Sequence, residues 1–123
     1  MAVKPQMRVT RLADAPAYTA PAHHGVATFR LQGREAGPTE HFWVGLTYYL
    51  PGGGTEEVPA GQETVYVVLD GELTLHADGQ EVTLGPQDSV HLTPGTLRRL
   101  ENRSARPATL LVVIAEPPSV PGL

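Results

Sequence analysis

The chain has 123 residues with 13 acidic and 9 basic side chains, a formal charge of -4. That length suits one domain, and the charge disfavours binding to a phosphate backbone, which needs clustered excess cation. The absence of cysteine excludes disulfides, Cys-ligated zinc, iron–sulfur clusters and a thiolate nucleophile.

Turn formers are abundant, 13 Gly and 12 Pro, yet 41% of residues are hydrophobic, so an all-β domain fits better than disorder or a helical bundle. Residues 1–40 read as an irregular segment interrupted by Pro5, Pro16, Pro21 and Pro38. One or two short strands are expected within it, the clearest at residues 26–31 (VATFRL). No apolar run resembles a secretory leader, and none approaches the roughly 18 residues of a spanning helix, so a cytoplasmic protein is the expectation.

From residue 41 the strand signals sharpen. Residues 41–50 (HFWVGLTYYL) are β-branched and aromatic, and Pro51-Gly52-Gly53-Gly54 is expected to end that strand. Residues 64–69 (TVYVVL) form the next, turning at Asp70-Gly71 into residues 72–76. Asp78-Gly79 turns again into residues 81–84. Strands at residues 89–93, 97–101 and 108–114 complete a series whose short, regular spacing predicts an antiparallel sandwich or barrel. A barrel core over residues 41–116 and a Pro-rich tail at 117–123 follow. Asn102-Arg103-Ser104 matches a glycosylation pattern, expected to be fortuitous in a cytoplasmic chain.

Two stretches together resemble the cupin family of small jelly-roll barrels. Pro51-Gly52-Gly53-Gly54, followed after a loop by Glu63 to Leu73 (ETVYVVLDGEL), is similar to the first cupin motif: a glycine turn, an HxH pair, a glutamate, then YVL-x-GE. Gly85 to Asn102 (GPQDSVHLTPGTLRRLEN) is similar to the second, where a proline–glycine turn precedes a histidine and, four residues on, an asparagine. The resemblance spans residues 48–115 and implies a single-domain jelly-roll β-barrel. Family metal sites use two histidines and a glutamate from the first motif and one histidine from the second. Here the glutamate position falls on Thr64 and the last histidine on Arg98, with Asn102 preserved after it. The HxH positions fall on Val58 and Ala60, or on Glu57 and Pro59 with a spacer one residue longer. A guanidinium stays protonated and does not coordinate metal, so the resemblance implies a barrel without the usual metal site and with no cofactor assigned.

Strand alternation puts Thr64, Tyr66 and Val68 on one face and Val65, Val67 and Leu69 on the other. The resemblance turns the first set, together with Arg98 and Leu100, toward the pocket. Arg98, Tyr66, Thr64 and Trp43 are the substrate-binding candidates, Arg98 as the anchor for a carboxylate or developing oxyanion. The alternative is an Arg98 that pairs with Glu56 or Glu57 and plugs a dead site. Acid–base candidates are His24, His41, His91 and Glu57, an imidazole being the natural general base near neutral pH. His76, beside a turn, is expected to be solvated.

Three readings follow. The first is a metal-independent isomerase, lyase or cyclase acting by proton transfer on an anionic or carbonyl-containing small molecule. The second is a non-catalytic binding module for a small acid or sugar. The third is a metal-dependent, oxygenase-like protein with ligands relocated among His23, His24, His41, His91 and Glu57. By family analogy a homodimer is expected through the outer face of Val65, Val67 and Leu69, unless the N-terminal segment covers it. No nucleic-acid or membrane partner is expected.

Overall fold

The computed structural model describes residues 6–116 of the chain, so the Pro-rich tail lies outside the described residues. Ten strands run in chain order: β1 (Ala17–Tyr18), β2 (His23–Gln32), β3 (Phe42–Thr55), β4 (Val58–Pro59), β5 (Thr64–Asp70), β6 (Leu73–Ala77), β7 (Gln80–Leu84), β8 (Ser89–Leu92), β9 (Leu97–Glu101) and β10 (Ala108–Ala115). Among the described residues the remaining regular elements are two 3-10 turns, Leu12–Asp14 and Arg34–Ala36. No helix of the described residues is long and apolar enough to cross a membrane.

The sheet follows the order β7-β6-β9-β3-β10-β5-β8, with β2 on β3, β1 on β2 and β4 on β9. All pairings are antiparallel, and the sheet almost closes into a jelly-roll barrel. The tight β6–β7 hairpin turns on Asp78 and Gly79, both with positive φ (51° and 67°), the conformation a two-residue turn requires. Inside lie Tyr49, Val68, Leu73, Leu75, Leu100 and Leu110, each at most 4% exposed. Within β5, Thr64, Tyr66 and Val68 are buried while Val65 and Val67 face outward, half-covered, as the alternation predicts.

Two expectations need correction. Pro51-Gly52-Gly53-Gly54 does not end a strand, because β3 continues through it to Thr55. Its glycines serve close approach: a Cβ on Gly53 would lie 2.3 Å from the Gly25 carbonyl oxygen, and one on Gly54 2.4 Å from that of Leu100. The N-terminal segment is also more regular than its prolines suggest, since β2 begins at His23 rather than at residue 26.

Asn102, kept from the second motif, is a structural residue. Its side chain is 2% exposed and donates Nδ2–H to the carbonyls of Tyr49 (3.1 Å) and Arg106 (2.7 Å). Its Oδ1 accepts from the Ser104 backbone N–H (3.0 Å) and hydroxyl (2.8 Å). The amide is thereby committed to closing the loop between β9 and β10. Replacing it strands two carbonyls and an amide, so Asn102→Ala is expected to cost about 3 kcal/mol and to lower Tm by roughly 10 °C. Thermal unfolding followed by circular dichroism checks this, and an unchanged Tm would contradict the assignment.

Candidate functional site

A cavity of about 450 Å³ opens inside the barrel, within the range of small-molecule sites. Its walls combine apolar residues, Trp43, Val112 and Ile114, with the polar Tyr66, Arg98 and His23. No aspartate or glutamate lines it. A larger hollow of about 730 Å³ lies outside, over the β6–β7 hairpin, lined by Glu57, His76, Asp78 and Glu81 among others. It is open to solvent and lacks the aromatic walls that hold a small molecule, so the barrel cavity is the candidate site.

Arg98 projects from β9 and donates its Nε–H to the Tyr66 hydroxyl on β5, 2.9 Å away. Among the described residues no carboxylate pairs with it, and its Nη1 is buried without a hydrogen-bond partner. The dead-site pairing with Glu56 or Glu57 is therefore not what the structure contains. The physical reason is register. Val58 pairs with Arg98 across β4 and β9 and lines the cavity, which turns Glu57 to the outer hollow. Burial pushes the Tyr66 phenol above its ordinary value and the Arg98 charge pulls it back in part, so Tyr66 stays a proton donor. Because its oxygen accepts from Arg98, its own proton is free for a ligand.

The histidine at the cavity is His23, not His24. Gly25 takes a positive φ (63°) where β2 packs on Gly53, and the register shifts there, since His24 faces Gly54 and Val26 faces Tyr49, setting β3 residues 50–53 opposite Gly25 alone. Unbroken alternation would align His24 with Val26, Thr28 and Arg30. The left-handed backbone at Gly25 reverses the phase and sends His23 to the cavity, leaving His24 exposed. His23 Nδ1 lies 2.7 Å from the Pro21 carbonyl. A carbonyl only accepts, so Nδ1 carries the proton in the neutral ring and Nε2 keeps its lone pair. Burial, with a smaller contribution from the Arg98 charge, holds the His23 pKa below its ordinary value of 6.5.

The other acid–base candidates are not brought to the cavity. His41 is exposed just before β3, beside Glu40 (3.5 Å). His91 lies on the outer side of β8, bonded to Glu63 at 2.6 Å. Of the proposed binding residues, Arg98, Tyr66 and Trp43 line the cavity, while Thr64 is buried beneath it with its hydroxyl donated to the Gln62 carbonyl (2.9 Å). Alternation supplied the inward face of β5; it carries no information about which inward residues reach open space.

Sequence reasoning missed Arg30 and Tyr18. Arg30, 9% exposed on β2, sits in the corner made by Tyr18 and Trp43, which meet edge to face. Its guanidinium carbon is 3.5 Å from the Tyr18 ring centre and 4.2 Å from that of Trp43, and Nε donates to Glu35 at 2.9 Å. Arg34 pairs with Glu116 at 2.6 Å. The alternating run at residues 26–31 was the available signal for Arg30, since it places Arg30 in phase with the buried Thr28.

One imidazole, three guanidiniums and no carboxylate do not fit a divalent cation, whose ligands must supply lone pairs and offset charge. The relocated set of His23, His24, His41, His91 and Glu57 is also dispersed. Among the described residues the one His/Asp/Glu cluster within common reach of an ion is His76, Glu81 and Glu101. There Arg99 and Arg103 already bind the carboxylates (2.9 Å to Glu101, 2.6 Å to Glu81), so His76 is a member of an ion-pair network rather than solvated.

The arrangement defines a jelly-roll barrel whose interior is a small-molecule pocket. Residues 45–114 match the Cupin_2 family, described as the Cupin domain, and the chain belongs to that family. It is 60% identical over 111 residues to the protein named Beta-D-galactosidase Rv1717 of Mycobacterium tuberculosis, covering 90% of this chain and 96% of that one. Its fold is similar to that of the polyketide cyclase RemF from Streptomyces resistomycificus, at a TM-score of 0.79 and 18% identity over 94% of this chain and 83% of that one. It is also similar to a sugar phosphate isomerase of the cupin superfamily from Silicibacter pomeroyi, at a TM-score of 0.72 and 25% identity over 92% and 76% of the two chains.

The depressed His23 pKa has a signed consequence. Between the folded value and the unfolded value near 6.5, the unfolded chain binds more protons, so stability rises with pH across that window and falls as pH drops through it. An NMR titration of the imidazole is expected to place the His23 midpoint below 6.5, and Arg98→Gln to move it upward by removing a repelling charge. A midpoint at or above 6.5 in the unaltered chain would contradict this placement.

Proposed function

We propose that the chain is a small-molecule enzyme of the isomerase, lyase or cyclase type. It moves a proton on an anionic or carbonyl-containing substrate inside the barrel and needs no metal. The observation that carries this reading is the convergence of a guanidinium without a carboxylate partner, a protonated phenol and a neutral imidazole on one cavity. His23 Nε2 takes a proton from the carbon beside the carbonyl or carboxylate, and the electron pair moves onto that group's oxygen. Arg98 and the Tyr66 O–H hold the resulting negative charge. Return of the proton to the neighbouring atom completes an isomerisation; departure of a group from the next carbon completes an elimination.

The identity shared with Rv1717 supports a second reading, in which the substrate is a β-D-galactoside. Glycosidases ordinarily flank the scissile bond with two carboxylates, which this cavity lining lacks. In their place His23 would draw a proton from water while Tyr66 protonates the leaving oxygen. The apolar wall of Trp43, Val112 and Ile114 suits the C–H face of a sugar under either reading. A homodimer joined through the half-covered outer face of β5 belongs to the same proposal, with light scattering as its check.

The deciding experiment assays the purified chain, before and after exhaustive chelation, on chromogenic β-D-galactosides and on reducing sugars and sugar acids. Turnover is expected to survive chelation. His23→Gln is expected to lower kcat by about 10²–10⁴-fold, with Tm preserved. Activity that vanishes with chelation, or that His23→Gln and Arg98→Gln both leave intact, would remove the barrel mechanism.

A further inference from the structure

The charges around the cavity do not cancel, and the remainder has one location. Arg30 is answered by Glu35 and Arg34 by Glu116, leaving Arg98 as the uncompensated cation of the lining. His23 adds no charge above its lowered pKa. We propose that the cavity selects a sugar carrying a single carboxylate, a hexuronic acid, over both the neutral sugar and the sugar phosphate; this inference rests on the barrel-cavity reading proposed above.

Three features of the site argue for it. First, Arg98 lines the cavity and spends only Nε on Tyr66, so its fork keeps donors that no protein acceptor meets, and a guanidinium fork suits the two oxygens of a carboxylate. Second, a buried N–H without an acceptor carries a desolvation penalty that an anionic oxygen removes and a sugar hydroxyl removes less well. Third, the charge count sets the valence. One uncompensated cation balances one carboxylate, whereas a phosphate ester brings close to two negative charges near neutral pH, and the second would meet no cation free of a carboxylate. Arg30 also keeps a buried Nη1 without an acceptor, but its charge is already answered by Glu35 while Tyr18 and Trp43 hold its guanidinium in their corner, so it adds no net charge for a second anionic oxygen.

The contact also suits proton transfer. With its carboxylate on Arg98, the sugar's adjacent C–H is made more acidic by the neutralised charge, and His23 Nε2 is the base available to remove that proton.

Trp43 is the chain's single tryptophan and lines the cavity, so its emission reports occupancy independently of turnover. The full-length chain is titrated at pH 7.5 with D-galacturonate, D-galactose and D-galactose 6-phosphate. Galacturonate is expected to bind about tenfold or more tighter than galactose, one such factor being what a single charge-assisted contact supplies. It is also expected to bind more tightly than the phosphate. Arg98→Gln is expected to abolish the preference and Arg98→Lys to retain part of it, which separates loss of charge from loss of fold. Galactose binding as well as galacturonate, the phosphate binding best, or a preference that survives Arg98→Gln would each overturn the inference while leaving the cavity as the site. If none of the three sugars perturbs Trp43, both the inference and the reading beneath it fall.

Discussion

Arg98 places a permanent positive charge inside a protein wall without a carboxylate to receive it, and much of the site is organised around that fact. A guanidinium taken from water loses several kcal/mol of solvation unless its donors are met. Here one donor is met by the Tyr66 hydroxyl, and Nη1 is left buried without an acceptor. The charge acts on its neighbours. It restrains the upward shift that burial imposes on Tyr66, and it adds to the burial that keeps His23 neutral. The phenol and the imidazole thus have their protonation states set by burial and by the same neighbouring charge.

The cavity depends equally on backbone packing far from any charge. Gly25, Gly53 and Gly54 let β2, β3 and β9 approach at distances no side chain would permit. At that approach Gly25 turns through a positive φ and the β2–β3 register shifts, which decides which of two adjacent histidines looks inward. The N-terminal segment therefore does more than cover the barrel: through β1 and β2 it contributes Tyr18, His23 and Arg30 to the cavity wall. A barrel built only from residues 41–116 would keep Arg98 and Tyr66 and lose the imidazole that could act with them.

The aromatic corner has a separate role. Tyr18 and Trp43 meet edge to face, and Arg30 lies against both while Glu35 holds its outer edge. This makes a rigid wall in which the charge is already spent. The cavity lining thus carries two cations answered by carboxylates, Arg30 and Arg34, and one that is not, Arg98.

The alternating pattern of β5, the Asp-Gly turns, the Pro/Gly spacing and the paired motifs carried enough information for the antiparallel barrel, the inward set Thr64, Tyr66 and Val68, and the guanidinium at position 98. These are local properties, since side-chain alternation and turn chemistry are decided within a few residues of the chain. The path of β3 through Pro51-Gly52-Gly53-Gly54, the turning of Glu57 to the outside, the choice of His23 over His24, and the Arg30–Glu35 pair against Tyr18 and Trp43 emerged only in three dimensions. Each depends on a strand distant in sequence, because a bulge, a register and a compensated charge are set by the partner that packs against them.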